Sequence, residues 1–216
     1  MTAVDVDLPA PWAGRVRWRF PDGDRDYVRG AFREVPETID MLLSLCPRHG
    51  LAVQAGGFVG IWPARLAQSF ERVLTFESHR RNFGCLRRNL AGVANVEMQR
   101  GALGDGSPVK VHRSRTGNGG GHHVLPHAGG QPSIRIDDLG LDTCDLIQLD
   151  IEGMELEALR GARETVAKHH PVICIEQKRL RHVERAHDLA EIHLAEEHGY
   201  RRAAAIGLDV IMVPPC

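Results

Sequence analysis

Two acidic side chains, Asp150 and Glu152, follow directly after the run DLIQL at 145–149 and stand just before Gly153. In an open parallel sheet, ligands bind in the crevice outside the carboxyl ends of the strands, so both carboxylates would face that crevice. A carboxylate in such a place can remove a proton from a reacting group. Asp150 and Glu152 are therefore candidate catalytic bases, although a helix cap explains Glu152 nearly as well.

A glycine- and histidine-rich stretch at 116–130 offers a second kind of base. It contains His122, His123 and His127, and imidazole titrates near neutral pH without large tuning. We take His122 as a third catalytic candidate. These histidines and the nearby His112 could instead bind a divalent metal, but nothing fixes them on a regular element, and magnesium prefers carboxylates. We therefore assign no metal ligand.

A cluster of glycines, Gly56, Gly57 and Gly60, ends the apolar run that begins at Leu51. Such a turn presents backbone N–H groups and no side chains, so a ligand can approach the main chain closely. Glu77 ends the next predicted strand, where it can accept hydrogen bonds from both hydroxyls of a ribose. The pattern predicts a nucleotide-like cofactor. The turn lacks the middle glycine that lets a pyrophosphate approach the backbone, which disfavours an NAD-dependent oxidoreductase.

The elements that must position these residues alternate along the chain. After the strand that begins at Leu51, apolar runs predict strands at 73–76, 96–99, 145–149, 171–176, 200–206 and 208–213. Helical spacing of apolar residues predicts helices at 36–45, 61–70, 79–91, 154–169 and 188–198. This alternation is typical of an α/β protein with a parallel sheet covered by helices on both faces, here closed by an antiparallel pair.

Two segments stand outside this alternation. Residues 16–20 alternate strictly, and turn residues lead from them to a short run at 27–28, so we predict a strand or hairpin extension over 1–35 that covers one edge of the domain. Residues 104–132 hold an added strand at 109–113 and a long stretch without apolar period, which we interpret as a substrate-facing insertion. Residues 133–139 are predicted as a short strand and turn.

Composition limits the classes of function. The chain has 216 residues, a formal net charge of −1 and 5% aromatic residues, which argues against recruitment of nucleic acid or an anionic membrane by a global field. No apolar run reaches the ~20 residues of a membrane helix, and the first residues lack the pattern of a targeting signal. We expect a cytoplasmic protein. The five scattered cysteines predict reduced, mostly buried thiols.

The segment LIQLDIEGMELEALRGA at 146–162 resembles the signature of the FkbM-type methyltransferases, and the turn at 54–60 resembles the turn after their first strand. The resemblance runs from about 51 to about 176. It implies a Rossmann-like class I methyltransferase domain over 36–216, with a mostly parallel seven-stranded sheet, an antiparallel closing strand and S-adenosylmethionine as cofactor. The cofactor-binding residues that it implies are Gln54, Gly56, Gly57, Phe58, Gly60, Glu77, Ser78, Gly101, Ala102, Leu103 and Asp150.

Three positions depart from the pattern of that family. Gln54 stands where an acid is usual, Phe58 where an Asn is common, and Gln148 where a Lys is frequent. The amide oxygen of Gln54 can still accept a hydrogen bond from the aminoacyl ammonium of the cofactor, but without charge assistance. The resemblance further implies that Glu77 holds the ribose diol and that Asp150 lies near the reactive methyl group and the acceptor.

The reaction we expect is O-methylation of a hydroxyl on a small-molecule or carbohydrate-like acceptor, which the enzyme must orient and deprotonate. Methylation of a nucleotide or nucleic acid is an alternative, helped by Arg15, Arg17, Arg19 and the arginine pairs at 80–81 and 87–88. A non-catalytic cofactor-binding module of the same fold is another, because Gln54 replaces the usual acid. The oligomeric state stays open, and the N-terminal strand could pair with that of a second subunit in a homodimer.

Overall fold

The structure is a computed structural model, and it describes residues 2–8, 14–21, 37–112, 122–177 and 186–215. The strands are β1 (Thr2–Leu8), β2 (Gly14–Phe20), β3 (Leu51–Ala55), β4 (Arg72–Glu77), β5 (Val96–Arg100), β6 (Pro108–His112), β7 (His123–Pro126), β8 (Gln131–Pro132), β9 (Leu146–Leu149), β10 (Val172–Glu176), β11 (Arg201–Ile206) and β12 (Asp209–Val213). The helices are α1 (37–45), α2 (Ile61–Leu66), α3 (Arg80–Asn89), α4 (Glu155–Arg160), α5 (Arg163–His169) and α6 (Ala186–His198), with a 3₁₀ helix at Ile136–Leu139.

The main sheet has seven strands in the order β11-β12-β10-β9-β3-β4-β5. Strands β10, β9, β3, β4 and β5 pair in parallel, and β12 runs antiparallel to both of its neighbours. The chain builds outward from β3 first through β4 and β5 and then, on the other side, through β9 and β10. The boundary between β3 and β9 is therefore the topological switch point, where open α/β sheets bind their ligands. The predicted fold class is confirmed.

Each face of the main sheet packs against helices. On the first face, Ala52, Leu146 and Val172 pack with residues of α1, α2 and α3. On the second face, the alternate residues of the same strands pack with α4, α5 and α6. Because β3, β9 and β10 are buried on both faces, their sequences read as near-continuous apolar runs, which is why the sequence predicts them well.

The N-terminal strand prediction is correct for β2, but its surroundings differ from the expectation. β2 pairs antiparallel with β1, and the run at 27–28 lies outside the described residues. Trp18 and Phe20 are buried in the first-face core. Arg19 exchanges two backbone hydrogen bonds with the side chain of Asn89, at 2.8 and 2.7 Å. β2 therefore lies along α3, and the alternation of its sequence reveals that the strand is half-buried but not which element buries it.

The insertion contains more regular structure than its sequence predicts. β6 pairs antiparallel with β7 and β8 in a separate three-stranded sheet, and residues 113–121 lie outside the described part of the chain. Val109 and Val124 of this small sheet pack on Met154, with Ala102 and Ile151 partly buried beside them. The insertion therefore lies against the loop that follows β9 and the segment that follows β5.

The helix predicted at 154–169 is divided into α4 and α5 at Gly161. A Cβ at Gly161 would lie 2.0 Å from the backbone oxygen of Gly104, so a neighbouring loop crosses at this point. Asp137 fixes the break, because its carboxylate accepts from the backbone N–H of Thr165 at 2.8 Å and caps α5. The apolar period continues across the break, which hides it from sequence analysis. Residues 133–139 form one isolated bridge and the 3₁₀ helix rather than a strand.

Four cysteines are buried free thiols, as predicted, namely Cys46, Cys85, Cys144 and Cys174. Among the residues that the structure describes, no helix has both the length and the apolar character needed to cross a bilayer.

Candidate functional site

The glycine turn after β3 lies directly against the loop after β9. Gly56 has a φ of +84°, and a Cβ at this position would lie 1.8 Å from the carbonyl oxygen of Asp150. The backbone N–H of Asp150 donates to the oxygen of Ala55 at 3.1 Å. Only glycine accepts both the left-handed conformation and this approach. The turn and Asp150 are therefore brought together at the switch point between β3 and β9.

Much of the hydrogen-bonding capacity of this turn is used inside the protein. The N–H groups of Gly56 and Gly57 both donate to the oxygen of Phe76, at 3.1 and 2.9 Å. The N–H of Phe58 donates to Glu77 Oε2 at 2.8 Å. The sequence predicts N–H groups presented to a ligand, whereas these three already have acceptors. Phosphate groups need such donors, so the turn is a poor cradle for a pyrophosphate.

Glu77 is the buried carboxylate of the site, with 6% of its surface exposed. One oxygen accepts from the N–H of Phe58 at 2.8 Å and the other from the N–H of His79 at 2.6 Å. Burial raises the pKa of Glu77 to about 7, and the nearby charge of Asp150 also raises it, while the two hydrogen bonds lower it. A carboxylate oxygen has two acceptor sites, so this fixed group can accept two further hydrogen bonds from a diol.

The loop at 150–153 is held by Glu155, a buried carboxylate at the start of α4. Its oxygens accept from the N–H of Ile151 at 3.1 Å and of Gly153 at 3.0 Å. Burial raises the pKa of Glu155 to about 7. Glu152 has a φ of +56°, a conformation that is strained for a residue with a side chain and recurs at functional sites. Sequence analysis assigned Glu155 no site role, although an acid in the first helical turn after a glycine is a known signal for a reach-back hydrogen bond.

Asp150 and Glu152, the two predicted carboxylate bases, lie together with Glu176 at the end of β10. One carboxylate oxygen from each of the three residues lies within 4.8 Å of one from each of the others. We call these three residues the acidic cluster. Glu176 was not predicted as a site residue. An acid at the carboxyl end of the strand adjacent to β9 is the signal that could have revealed it.

Gln54 was expected to present its amide to the cofactor, and in the structure this amide bonds to groups inside the sheet. It is fully buried, its amide oxygen accepts from the hydroxyl of Thr75, and its nitrogen donates to the oxygen of Ala55 at 3.0 Å. Its register partner on β9 is Gln148, which is also fully buried. Neither amide atom of Gln148 has a hydrogen-bond partner among the described residues. The amide of Gln54 therefore has hydrogen-bond partners inside the sheet.

The segment after β5 adjoins the end of β4. The N–H of Gly101 donates to the backbone oxygen of Glu77 at 3.2 Å. Leu103 is 1% exposed and packs in the second-face core. Ala102 and Ser78 are half-buried. Of the predicted adenine-binding segment, Gly101 and Ala102 are thus the partly exposed residues.

The predicted histidine base lies at the end of β4. The ring of His122 packs against that of His79, with ring centroids 3.9 Å apart in a T-shaped arrangement. His123 stacks on His112 across the β6–β7 pair, with centroids 5.7 Å apart, and His127 is exposed. The three histidines of the insertion thus have different surroundings, and His122 is the one that lies beside the Glu77 end of the site.

A family model described as the methyltransferase FkbM domain matches residues 63–202. A search of curated proteins found no match. Solved structures of similar fold include methyltransferase FkbM from Methylobacillus flagellatus, with 19% identity and a TM-score of 0.52 over 90% of this chain and 56% of that one. The chain thus spans little more than half the length of that protein.

Two further structures show the same fold at lower identity. Ribosomal protein L11 methylase from Lactobacillus delbrueckii subsp. bulgaricus has 10% identity and a TM-score of 0.52, over 87% of this chain and 81% of that one. A Streptococcus mutans protein solved in complex with SAH has 11% identity and a TM-score of 0.53, over 85% of this chain and 98% of that one. The match of the family model over most of the sheet and the fold of these structures lead to one conclusion: the chain belongs to the FkbM methyltransferase family.

Proposed function

We propose that this protein is an S-adenosylmethionine-dependent O-methyltransferase that acts on a hydroxyl of a small-molecule or carbohydrate-like acceptor. The observation that carries the proposal is the buried carboxylate of Glu77, which two backbone N–H groups fix beside the glycine turn. A carboxylate in this position suits a ribose diol and repels a phosphate. Membership of the FkbM family supports the same cofactor.

The residues around the switch point fit this cofactor. Glu77 would accept hydrogen bonds from the ribose hydroxyls, with Ser78 beside it. Gly56 and Gly57 have no side chains, so they leave room at the turn for the methionine portion. Ala102 is small enough to leave room for the adenine. Phe58 and Gly60 complete the turn that surrounds these groups, while Gln54 and the side chain of Leu103 are left out of the proposed set.

When bound, S-adenosylmethionine supplies a methyl group on a sulfonium, whose leaving group needs no proton. The contribution of the chain is to orient the acceptor hydroxyl and to accept its proton as the new oxygen–carbon bond forms. We assign the proton to Asp150, because this residue directly follows β9 and its backbone lies against the turn at Gly56. Glu152 lies in the same acidic cluster and is the alternative acceptor. His122 lies at the end of β4, which supports a role near the ribose instead.

The proposal is tested first by calorimetric titration with S-adenosylmethionine and S-adenosylhomocysteine. Binding of either supports the cofactor assignment, whereas a wild-type protein that binds neither overturns it. Methyl transfer is then followed as S-adenosylhomocysteine formation with a panel of monosaccharides, disaccharides and phenols as acceptors. A protein that binds the cofactor but methylates none of these would be the non-catalytic module or would have a different acceptor class.

Replacement of Asp150 by asparagine should lower kcat by roughly 100-fold or more, because the variant keeps the shape of the side chain but loses the proton acceptor. The affinity for S-adenosylhomocysteine should stay within a few-fold of wild type. Asp142→Asn is the matched control, since Asp142 is exposed and lies outside the site. An Asp150→Asn variant with wild-type kcat would exclude Asp150 as the base.

Affinity for S-adenosylhomocysteine should rise about tenfold between pH 6 and pH 8. Ionised Glu77 is the better acceptor for a diol, and with a pKa of about 7 Glu77 goes from mostly protonated to mostly ionised over that range. The stability of the free protein should change with pH in the opposite direction. Because the pKa of Glu77 is raised from 4.5 to about 7 in the folded state, its contribution to stability is fully present below pH 4.5 and is lost as the pH rises from 4.5 to about 7.

Two variants identify the carboxyl group responsible for this pH dependence. Glu77→Gln should bind S-adenosylhomocysteine more weakly and with little change between pH 6 and pH 8. Glu155→Gln is the matched control, because the pKa of Glu155 is also raised to about 7 but its carboxylate faces the loop at 150–153. Loss of the pH dependence in Glu155→Gln, with retention in Glu77→Gln, would contradict the assignment.

The arginines of α3 favour one second candidate, methylation of a nucleotide or nucleic acid. Arg80, Arg81, Arg87 and Arg88 are all exposed on this helix, and such a surface suits a phosphate backbone. The discriminating measurement is binding of a short RNA duplex at several salt concentrations. A steep fall in affinity with salt, weakened by Arg87→Ala, would favour this candidate over a carbohydrate-like acceptor.

A further inference from the structure

The acidic cluster of Asp150, Glu152 and Glu176 places three carboxylates at the carboxyl ends of two adjacent parallel strands. One oxygen from each lies within 4.8 Å of one from each of the others. We propose that this cluster binds one divalent cation of the Mg²⁺ or Mn²⁺ type. Binding of the cation stands independently of the proposed function, whereas any role of the cation in methyl transfer rests on it.

Gln148 is a second and independent observation that points to a ligand here. Its side chain is fully buried, and neither its amide oxygen nor its nitrogen has a hydrogen-bond partner among the described residues. Buried amides are almost always satisfied in native proteins, so an unsatisfied one needs an explanation, and a bound ion is one that suits this place. The amide oxygen of Gln is a ligand type that Mg²⁺ and Ca²⁺ accept.

The strand register places Gln148 near the residues of the cluster. Gln148 lies on β9 two positions before Asp150, which directly follows the strand. Its partner on β10 is Cys174, which precedes Glu176 by two positions. Gln148 and Glu176 therefore lie on one face of two adjacent strands, and Asp150 follows Gln148 by two positions.

The chemistry of the donors selects the type of ion. The acidic cluster and Gln148 offer only oxygen atoms from carboxylates and an amide, which suit hard cations such as Mg²⁺ and Mn²⁺. Thiophilic ions prefer thiolate ligands, and the acidic cluster and Gln148 contain none.

The position of the cluster suggests what the ion does. Asp150 lies against the glycine turn at the switch point, and Ile151 packs under the small sheet of the insertion. A cation held at the cluster can bind the acceptor oxygen and lower the pKa of its hydroxyl, so that a proton leaves more readily. The proposed acceptors would then be hydroxyl compounds able to coordinate a metal, such as vicinal diols.

The test is titration of the full chain with Mn²⁺, followed by electron paramagnetic resonance of the free ion and by calorimetry, without cofactor or acceptor. We expect one Mn²⁺ per chain, displaced by excess Mg²⁺. Glu176→Gln should weaken binding by roughly tenfold or more, since even groups that only support metal ligands have effects of this size. Glu196→Gln, a change of an exposed glutamate on α6, should leave binding unchanged.

Gln148→Lys keeps the proposal testable if the carboxylate variants fold poorly. Its ammonium would lie near the cluster and should abolish Mn²⁺ binding in a chain whose circular dichroism shows that it is folded, although its melting temperature is lower because the ammonium is buried. Wild-type protein without bound Mn²⁺, or unchanged binding in Glu176→Gln and Gln148→Lys, would overturn the proposal. A protein that binds Mn²⁺ but not the cofactor supports the cation site and overturns the proposed function. A protein that binds the cofactor but not Mn²⁺ supports the proposed function and overturns the cation site.

Discussion

Replacing Gly56 by alanine should abolish detectable binding of S-adenosylhomocysteine and lower the free energy of unfolding by about 3 kcal/mol. The new Cβ would lie 1.8 Å from the backbone oxygen of Asp150, which no side-chain rotation can relieve. The φ of +84° adds strain for any residue with a side chain. The turn and the loop after β9 must therefore move apart. Displacements of about 1 Å at a site can cost a hundredfold in rate.

The matched control for this change is Gly92→Ala. Gly92 is exposed, and a Cβ there would meet no atom within 4 Å. Its substitution should leave both cofactor affinity and the free energy of unfolding close to wild type. The two variants are compared by calorimetric titration and by urea unfolding. If Gly56→Ala bound S-adenosylhomocysteine like the control, the close contact between the turn and Asp150 would not be a requirement of the site.

The residues of the candidate site that sequence analysis named are those with local signals. Gly56 stands in a glycine cluster, and Glu77 and Asp150 are acids at the ends of apolar runs. In a parallel sheet such positions fall at one edge whatever the details of packing. The central strands β3, β9 and β10 were also predicted correctly because their signal is local. They are buried on both faces, so a continuous apolar run reveals them without knowledge of their neighbours.

The parts that sequence analysis missed depend on contacts through space. Glu176 joins the acidic cluster only because β10 is the neighbour of β9, and strand adjacency is not written in local sequence. The division between α4 and α5 depends on the backbone of Gly104, which crosses at Gly161. Gln54 was expected in the crevice because of its place in the motif. Its side chain instead bonds Thr75 on the adjacent strand, a choice that only the packed sheet determines.

Two departures from the family pattern, Gln54 and Gln148, occupy partner positions on β3 and β9. The family usually has an acid at the position of Gln54 and frequently has a lysine at the position of Gln148. These two side chains would carry opposite charges. Here both are neutral amides, and both are fully buried. A buried charge without its partner is costly, whereas replacement of both charges together can be neutral. The replacement of the acid by Gln54 is therefore not in itself evidence against activity, because the lysine that would pair with that acid is also replaced, by the neutral Gln148.

This pairing predicts a strong coupling between two substitutions. Gln54→Asp alone should lower the free energy of unfolding by about 3 kcal/mol, because it buries a carboxylate without a cation. Gln148→Lys alone should cost less, since Asp150 follows it on the same face and supplies a negative charge. The double variant Gln54→Asp/Gln148→Lys should recover at least half of the loss, with a coupling free energy of about 2 kcal/mol. Urea unfolding of the four proteins at one pH measures this cycle.

The control cycle combines Gln54→Asp with Gln99→Lys, a change at an exposed position on β5. These two changes should be additive, because an exposed ammonium is solvated and cannot compensate a charge buried in β3. Additivity in the Gln54/Gln148 cycle as well would show that the two amides do not act as a pair. Gln54 would then have to be explained by its bond to Thr75 alone. Strong coupling would instead mean that β3 and β9 exchanged a charged pair for a neutral one without loss of the sheet that positions Gly56 and Asp150.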